Sequence, residues 1–321
     1  MNRVSKYQEN IQRFIQTKSF IKSTTIVTQN ILNNMLGESD HIPAILCLTI
    51  LNYQCKKYNI RIHGYYIALC IDILMVICKL SSNRSYYDEI YGANNIDNMI
   101  SEIINWIYWS IFQNIETLEM NKTDKFNPKT AQLCIEYCIK FIPLITKKIE
   151  CRSNITNNKM KKTDMYHNKI NDVEFINTYK QKQFIDRETL NEIYLKFGYV
   201  CCLAMYLGWT LGQGDDATVS KFDSIGMQLG IMLKIHNDFK HVDRDIHYGK
   251  YSTNCIINCG IKESYAELIE SKINFIEMLI IHSIDTNTLK EIIEIIMTDV
   301  DNCVASISVD LESQFDDCSA I

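Results

Sequence analysis

Glycine and proline are scarce in this chain of 321 residues. It contains 11 glycines and 3 prolines, roughly 3% and 1% of the residues, whereas ordinary proteins have about 7% and 5%. Turns that need these residues are therefore few, which argues against β-sandwiches, propellers and disordered linkers. The glycine loops that bind phosphate in nucleotide folds, G-x-x-x-x-G-K-[ST] and G-x-G-x-x-G, do not occur either. A chain with so few turns favours long helices.

We also expect no secretory leader and no cysteine framework, and the sequence has no excess of basic residues. Residues 1–14 contain no apolar signal core. The 13 cysteines are an odd number, they lie mostly inside apolar runs, and none forms a C-x-x-C pair. This pattern is typical of buried, reduced thiols in a cytoplasmic protein. With 33 basic and 38 acidic residues the net charge is −5, so we expect no nucleic-acid partner.

Long apolar runs are missing as well. The longest spans residues 65–80, about 16 residues, and Asp72 interrupts it. A membrane-spanning helix needs about 20 apolar residues. We therefore expect a buried helix here and no membrane span.

Apolar residues recur with a spacing of three to four along most of the chain, which is the helical period, and alternating strand-like runs are absent. We expect an all-α helix bundle of about ten helices, forming a single domain over residues 1–321. Residues 153–183 are rich in Asn, Lys and Asp and predict a polar surface insertion. The predicted helical segments are 6–35, 43–57, 65–80, 96–119, 128–149, 187–211, 216–241, 261–282 and 286–313.

Polar side chains with the spacing of a helix face cluster late in the chain. Asn237, His241 and Asp245 stand at positions i, i+4 and i+8, so they would share one face of a helix across two turns. Oxygen and imidazole ligands stacked in this way can hold Mg²⁺. Lys196 upstream and Lys250 downstream would suit a phosphate. The alternative from spacing alone is a charged helix end that faces water.

The segment 193–260 resembles the C-terminal half of trans-isoprenyl diphosphate synthases. That family has the order K-T-G, then G-x-x-x-G-x-x-F-Q-x-x-D-D-x-x-D on a helix, then D-[LI]-x-x-G-K-x-[ST]. Lys196-Phe197-Gly198 matches the first element, Gly226 and Gly230 match the glycines of the second, and residues 245–252 match the third. In the second element Leu233-Lys234 stands in place of Phe-Gln, and residues 237–241 stand in place of D-D-x-x-D. Weaker similarity covers roughly residues 30–300. The resemblance implies an isoprenoid synthase fold, a bundle around a deep apolar cavity lined by residues 65–80, 96–119, 187–211 and 216–241.

Two motifs of that family have changed. Where the family has the basic G-G-K-R-x-R-P of the acceptor diphosphate site, residues 37–43 are GESDHIP, with Ser39, Asp40 and Ile42 replacing basic residues. Carboxylates oppose diphosphate binding, so the acceptor site looks lost. The first D-D-x-x-D is also missing. Its nearest remaining ligand is Asn83, with Asp88 and Glu89 as substitutes, or Arg84 meeting phosphate directly.

Loss of the acceptor site with a retained allylic site implies terpene cyclisation. The segment Asn237–Asp245 resembles the N-D-x-x-[ST]-x-x-x-E motif of class I terpene synthases, with His241 for Ser/Thr and Asp245 for Glu. The resemblance implies that farnesyl diphosphate is ionised and cyclised to a sesquiterpene hydrocarbon or alcohol. The implied catalytic residues are Asn237, His241 and Asp245; the implied Mg²⁺ ligands are Asn237, Asp238, His241, Asp245 and Asn83; the implied diphosphate ligands are Lys196, Lys234 and Lys250.

Two other functions stay open at this point. One is a chain-elongating prenyl diphosphate synthase with drifted motifs, and the other is a non-catalytic subunit that pairs with an active synthase. The resemblance also leaves room for a homodimer. The chain is rich in Asn, Ile and Lys, a composition typical of AT-rich genomes. It resembles terpene synthases of giant viruses, and this resemblance implies a location in the host cytoplasm.

Several other polar residues have structural interpretations. We expect Asp215 and Asp216 to lie in a solvated turn, Asp72 to make a structural hydrogen bond, and His236 and His247 to be surface groups. The aromatic residues that would line a carbocation pocket are Trp106, Tyr108, Trp109, Tyr194 and Trp209. For most of them core packing is the favoured interpretation.

Overall fold

The computed structural model of the chain describes residues 2–17, 24–59, 62–120, 129–149, 185–247, 253–284 and 286–318. Within these ranges the chain is all-helical, with thirteen α-helices and no strand. The helices are α1 Arg3–Thr17, α2 Ile26–Gly37, α3 Ile42–Tyr58, α4 Tyr65–Ser82, α5 Arg84–Tyr91, α6 Ala93–Met120, α7 Lys129–Thr146, α8 Arg187–Leu211, α9 Lys221–Lys240, α10 Val242–His247, α11 Cys255–Cys259, α12 Ile261–Ile281 and α13 Asn287–Cys318. The all-α prediction is confirmed.

The long helices lie close to where the apolar period predicts them. Helix α8 occupies the predicted 187–211, and α3 begins with Pro43 in its first turn, where proline is tolerated. The predicted segment 6–35 divides into α1 and α2. The predicted segment 216–241 divides into a single 3₁₀ turn, Asp216–Thr218, and α9. The predicted insertion 153–183 lies outside the described residues.

Three short helices were not predicted. They are α5, α10 and α11, of eight, six and five residues. Because a helical period needs about two turns to become visible, segments this short show no clear pattern in the sequence.

Helix α8 lies at the centre of the bundle. It packs against α3, α4, α7 and α9, and nearly all of its residues from Ile193 to Leu211 are buried. Helix α9 packs along α8 at two glycines one turn apart, Gly226 beside Cys202 and Gly230 beside Gly198. A Cβ on Gly230 would come closer than 3.0 Å to the backbone of Gly198. The two helices therefore need these glycines for their close approach.

The apolar helix α4 is a core helix. It is long and apolar enough to cross a membrane by composition, with a mean hydropathy of 1.7, but 83% of that segment is buried inside the protein. Buried apolar residues from Val4 on α1 to Val300 on α13 form one continuous cluster around it. The expectation of a buried helix at 65–80 is confirmed.

Candidate functional site

The predicted site residues from three separate segments lie at one end of the bundle. Lys196 on α8 donates from its ammonium to Ser81 Oγ (2.5 Å) at the end of α4 and to the carbonyl oxygen of Lys147 (2.8 Å). Burial raises the pKa of the Cys78 thiol to about 11, and the charges of Lys196 and Lys234 oppose that rise. Both lysines are therefore near the end of α4, where Asn83 joins α4 to α5.

The predicted helix face does not exist, because α9 ends within it. Lys240 is the last residue of α9, and His241 has a non-helical backbone at φ −124° and ψ 15°. A new helix, α10, begins at Val242 and carries Asp245. The prediction that Asn237, His241 and Asp245 share one helix face across two turns is therefore wrong.

Asp238 and Lys234 form a buried ion pair one turn apart on α9. Their side chains are 2% and 4% exposed, and the Lys234 ammonium contacts both carboxylate oxygens of Asp238. Asp238 also accepts the backbone N–H of Cys255 (2.8 Å), and Lys234 donates to the carbonyl of Thr253 (3.1 Å). Burial raises the pKa of Asp238 and the ion pair opposes this rise. The pair joins α9 to the start of α11.

Asp245 is held by its own partners. It is 5% exposed. Its carboxylate accepts from the Arg244 guanidinium at 3.0 and 2.9 Å and from Asn254 Nδ2 at 3.0 Å. Arg244 in turn lies over the Tyr86 ring, 5.1 Å from its centroid. Asp245 thus links α10 to Asn254, the residue that caps α11.

The start of α3 and the end of α9 meet at one small cavity of about 60 Å³. Asn237 and His241 line it from the end of α9, and residues 38–43 line it from the start of α3. Lys79, His236 and Lys240 are also in its wall, whereas Asp238 and Asp245 are not among its described lining residues. Lys240 forms an ion pair with Asp40 across the cavity rim (3.2 Å).

His41 is the most unusual residue of the cavity wall. It is 1% exposed, its φ is +56°, and its Nδ1 is 2.7 Å from Asp72 Oδ2. Asp72 also accepts the N–H of Ala44 (3.3 Å), so the expected structural hydrogen bond is present. The other ring nitrogen of His41, Nε2, is buried without a hydrogen-bond partner. A left-handed backbone on a non-glycine residue costs about 1–2 kcal/mol, and such strain is concentrated at functional sites.

Positive charge surrounds His241. Burial lowers its pKa to about 4, and Arg244, Lys79 and Lys240 contribute to the shift. His241 is therefore neutral at physiological pH. The expectation that His236 is a surface group is wrong, since His236 is 2% exposed and its Nε2 lies 2.9 Å from Asp299 Oδ2.

The described residues do not form a ligand set that fits Mg²⁺. The carboxylates of Asp238 and Asp245 are already bound to Lys234 and Arg244. Among the residues in the described ranges, no group of three or more His, Cys, Asp or Glu side chains could hold a metal ion. Mg²⁺ prefers an octahedron of oxygen ligands, usually carboxylates and phosphates with water. A magnesium centre thus stays a prediction.

The substitutes for the missing first aspartate motif are also engaged. Arg84 donates to Asp88 (2.5 Å), to Asp97 (2.8 Å) and to the carbonyl of Ala93 (2.8 Å). Asn83, partly buried, ends α4 and precedes Arg84. This network fixes α5 against α6. Because Arg84 and Asp88 are bound within it, Arg84 is not available to bind phosphate and Asp88 is not available to bind a metal ion.

The predicted aromatic residues have different surroundings. Trp106, Tyr194 and Trp209 are buried in the core, whereas Trp109 is 47% exposed. Trp209 lies under the Lys221 ammonium, 3.7 Å from its ring centroid, at the start of α9 and thus at the opposite end from the cavity. Neither Trp109 nor Trp209 lines the cavity of Asn237. The deep apolar cavity stays a prediction.

Sequence reasoning missed Lys79 and His41, and it did not place Arg244. Lys79 was visible as the second charged residue, after Asp72, in the apolar run of α4. His41 carried no such signal, since its partner is 31 residues away. Lys250, predicted to bind diphosphate, lies outside the described residues, as do Tyr248 and Gly249. The side chain of His247 is also outside the described part.

Asp215 and Asp216 form the exposed turn that the sequence predicted. Asp215 caps the 3₁₀ turn by accepting the N–H of Ala217 (3.1 Å), and Asp216 accepts a hydrogen bond from the Tyr137 hydroxyl. Both residues are exposed. They belong to the opposite end of α9 from the cavity.

Comparison of the chain with models of known protein families gives no match. A search of curated protein sequences likewise finds no significant match. A relation to isoprenyl diphosphate synthases therefore stays a prediction from the sequence motifs.

Proposed function

We propose that the chain binds an allylic prenyl diphosphate, with farnesyl diphosphate as the expected substrate, and ionises it as a terpene synthase. The observation that supports this most strongly is the position of Lys196. It comes from a motif about 40 residues before Asn237 in the chain, yet its ammonium contacts Ser81, two residues before Asn83, and its neighbour Phe197 lines the same cavity as Asn237. Motif residues that meet in space are what a shared ligand requires.

Lys196 has a charge that a diphosphate would neutralise. It is 3% exposed, and its hydrogen bonds go to two neutral oxygens, those of Ser81 and Lys147. Within the described residues, no carboxylate lies within ion-pair distance of it. Burial lowers its pKa, so an anion beside it would favour the charged form. Such a buried ammonium stabilises a leaving group as its negative charge grows.

The proposed reaction breaks the bond between C1 of the prenyl chain and the diphosphate oxygen. The electron pair leaves with diphosphate, and the allylic cation is attacked by its own double bonds. The cyclised cation then loses a proton or adds water. The apolar residues of α4 and α8 around Lys196 would exclude water during these steps.

A single set of incubations tests this proposal. Purified protein receives farnesyl diphosphate, with or without isopentenyl diphosphate, in buffers containing Mg²⁺ or EDTA. Mass spectrometry of the organic extract and an assay for released diphosphate are the readouts. We expect a cyclic C15 product and released diphosphate, and no geranylgeranyl diphosphate. A C20 diphosphate as the main product would instead show a chain-elongating enzyme.

A non-catalytic partner subunit is the second candidate, and one observation favours it. The acidic side chains that would complete a metal site, Asp238 and Asp245, are both bound inside the protein. A chain of this kind would bind farnesyl diphosphate without releasing diphosphate. Calorimetric binding in the absence of any turnover would therefore support this candidate over the synthase.

A further inference from the structure

A buried histidine–aspartate pair lies in the wall of the cavity at the end of α9. The Nδ1 of His41 is 2.7 Å from Asp72 Oδ2, and the two side chains are 1% and 0% exposed. Since an ionised carboxylate only accepts hydrogen bonds, this contact assigns a proton to Nδ1, and Nε2 is then the acceptor of a neutral ring. Among the described residues, Nε2 has no hydrogen-bond partner. The pair therefore has the arrangement of a general base with its orienting carboxylate.

The cavity beside this pair suits water better than an anion. Its volume is about 60 Å³, and one water needs about 10–15 Å³, so it has room for a few water molecules. Glu38 and Asp40 in its wall oppose an anion, whereas Asn237 and His241 offer hydrogen bonds to water. His241 is neutral, because burial and nearby positive charges lower its pKa to about 4. We expect a water held in this cavity to donate to His41 Nε2.

The same cavity lies beside the ammonium that is proposed to stabilise the leaving diphosphate. Phe197, the residue after Lys196, lines it together with Leu233, which makes part of its wall apolar. Lys79 also lines it and stands two residues before Ser81, whose hydroxyl accepts from the Lys196 ammonium at 2.5 Å. A prenyl cation formed next to Lys196 would therefore have this cavity as its nearest polar neighbour.

We propose that His41 is the base that delivers water from this cavity to the cyclised cation, with Asp72 as its positioning residue, so that the main product is an alcohol. This inference rests on the proposed function, because it needs the cation. The water oxygen uses a lone pair to form the new C–O bond, and one of its protons passes to His41 Nε2. Asp72 stabilises the resulting imidazolium. The proton then passes to solvent as the product leaves, which restores the neutral ring.

The test is the product mixture from farnesyl diphosphate and Mg²⁺ in water enriched in the heavy oxygen isotope, read by mass spectrometry beside the assay for released diphosphate. Asp72→Asn keeps the side-chain shape and an acceptor for the Ala44 N–H (3.3 Å). Its amide would donate to Nδ1, so that the proton of the neutral ring moves to Nε2. His41→Asn removes the ring, and asparagine tolerates a left-handed backbone such as φ +56°. His282→Asn is the matched control, in a groove at the opposite end of α9.

We expect an isotope-labelled alcohol as the main product of the unmodified chain and of His282→Asn. A general base contributes about 10²–10⁴-fold to a proton-transfer step. The ratio of alcohol to hydrocarbon should therefore fall by about tenfold or more in Asp72→Asn and in His41→Asn. Release of diphosphate should stay within about threefold, because the bond to diphosphate breaks before water is captured.

Unlabelled hydrocarbon as the main product of the unmodified chain would overturn the inference, and so would an unchanged ratio of alcohol to hydrocarbon in either folded variant. A fall in diphosphate release with the product ratio unchanged would show that the pair is only structural. Circular dichroism checks folding, and if Asp72→Asn proves unfolded, His41→Asn decides. Diphosphate release with hydrocarbon alone refutes only this inference, whereas the absence of any release refutes the synthase and the inference with it.

Discussion

The ion pair of Lys234 and Asp238 gives the sharpest test of what the altered second motif does. Asp238→Asn keeps the shape of the side chain and an acceptor for the Cys255 N–H, but it removes the negative charge. The Lys234 side chain is 4% exposed and would keep only neutral partners, the Thr253 carbonyl and the new amide. Breaking a buried ion pair by removing one partner costs about 3–5 kcal/mol, which is a large fraction of the 5–15 kcal/mol stability of a typical domain.

Urea unfolding followed by far-UV circular dichroism measures this cost. We expect the midpoint for Asp238→Asn to fall well below that of the unmodified protein, and Lys234→Met to lower it similarly. The double variant Lys234→Met/Asp238→Asn should recover most of the loss, since it leaves no buried charge unpaired. An unchanged midpoint for Asp238→Asn would refute the reasoning, because Asp238 would then be available as a ligand rather than required for the fold.

The remaining predictions concern packing, protonation and turnover. Gly230→Ala should lower the free energy of unfolding by roughly 1–3 kcal/mol, whereas Gly37→Ala, with open space around its Cβ, should be nearly neutral in the same urea titration. His241 should titrate by NMR near pH 4 rather than 6.5, and titration near 6.5 would contradict this. Because His241 takes up its proton at a higher pH in the unfolded chain than in the folded one, the stability that its neutral form contributes should be lost as pH falls from about 6.5 toward 4. Asn237→Ala should abolish release of diphosphate from farnesyl diphosphate while exposed Asp216→Ala retains it; full activity of Asn237→Ala would move the site elsewhere.

The long helices were predictable because their apolar residues recur without interruption. In α3 and α4 most core positions are Ile, Leu, Val, Met, Cys or Ala, and α8 adds buried aromatic residues. Pro43 and Gly64 mark where α3 and α4 begin. Residues inside a segment with this helical period can be assigned to a helix from the sequence alone. This is why the helical class and most helix boundaries followed from the sequence.

The geometry of the site was less predictable because spacing does not record where a helix ends. Asn237 and Asp245 have helical spacing, but the backbone of His241 separates them into two helices. The i, i+4 pair Lys234 and Asp238 was visible in the sequence, but Lys234 was expected to bind diphosphate and Asp238 to bind Mg²⁺, whereas they bind each other. The pairing of His236 with Asp299, 63 residues away, depends on tertiary packing alone.

The buried thiols give this protein a set of built-in reporters of local opening. Nine cysteines of the described part are buried, and they lie on α3, α4, α7, α8 and α11, whereas Cys259 and Cys303 are partly accessible. Burial raises the pKa of thiols such as Cys47 and Cys201, so they react with alkylating reagents only when their helix separates from its neighbours. Timed alkylation read by peptide mass spectrometry would thus rank the helices by how often each one opens, and diphosphate binding at the end of α4 should slow the labelling of Cys78 more than that of Cys134.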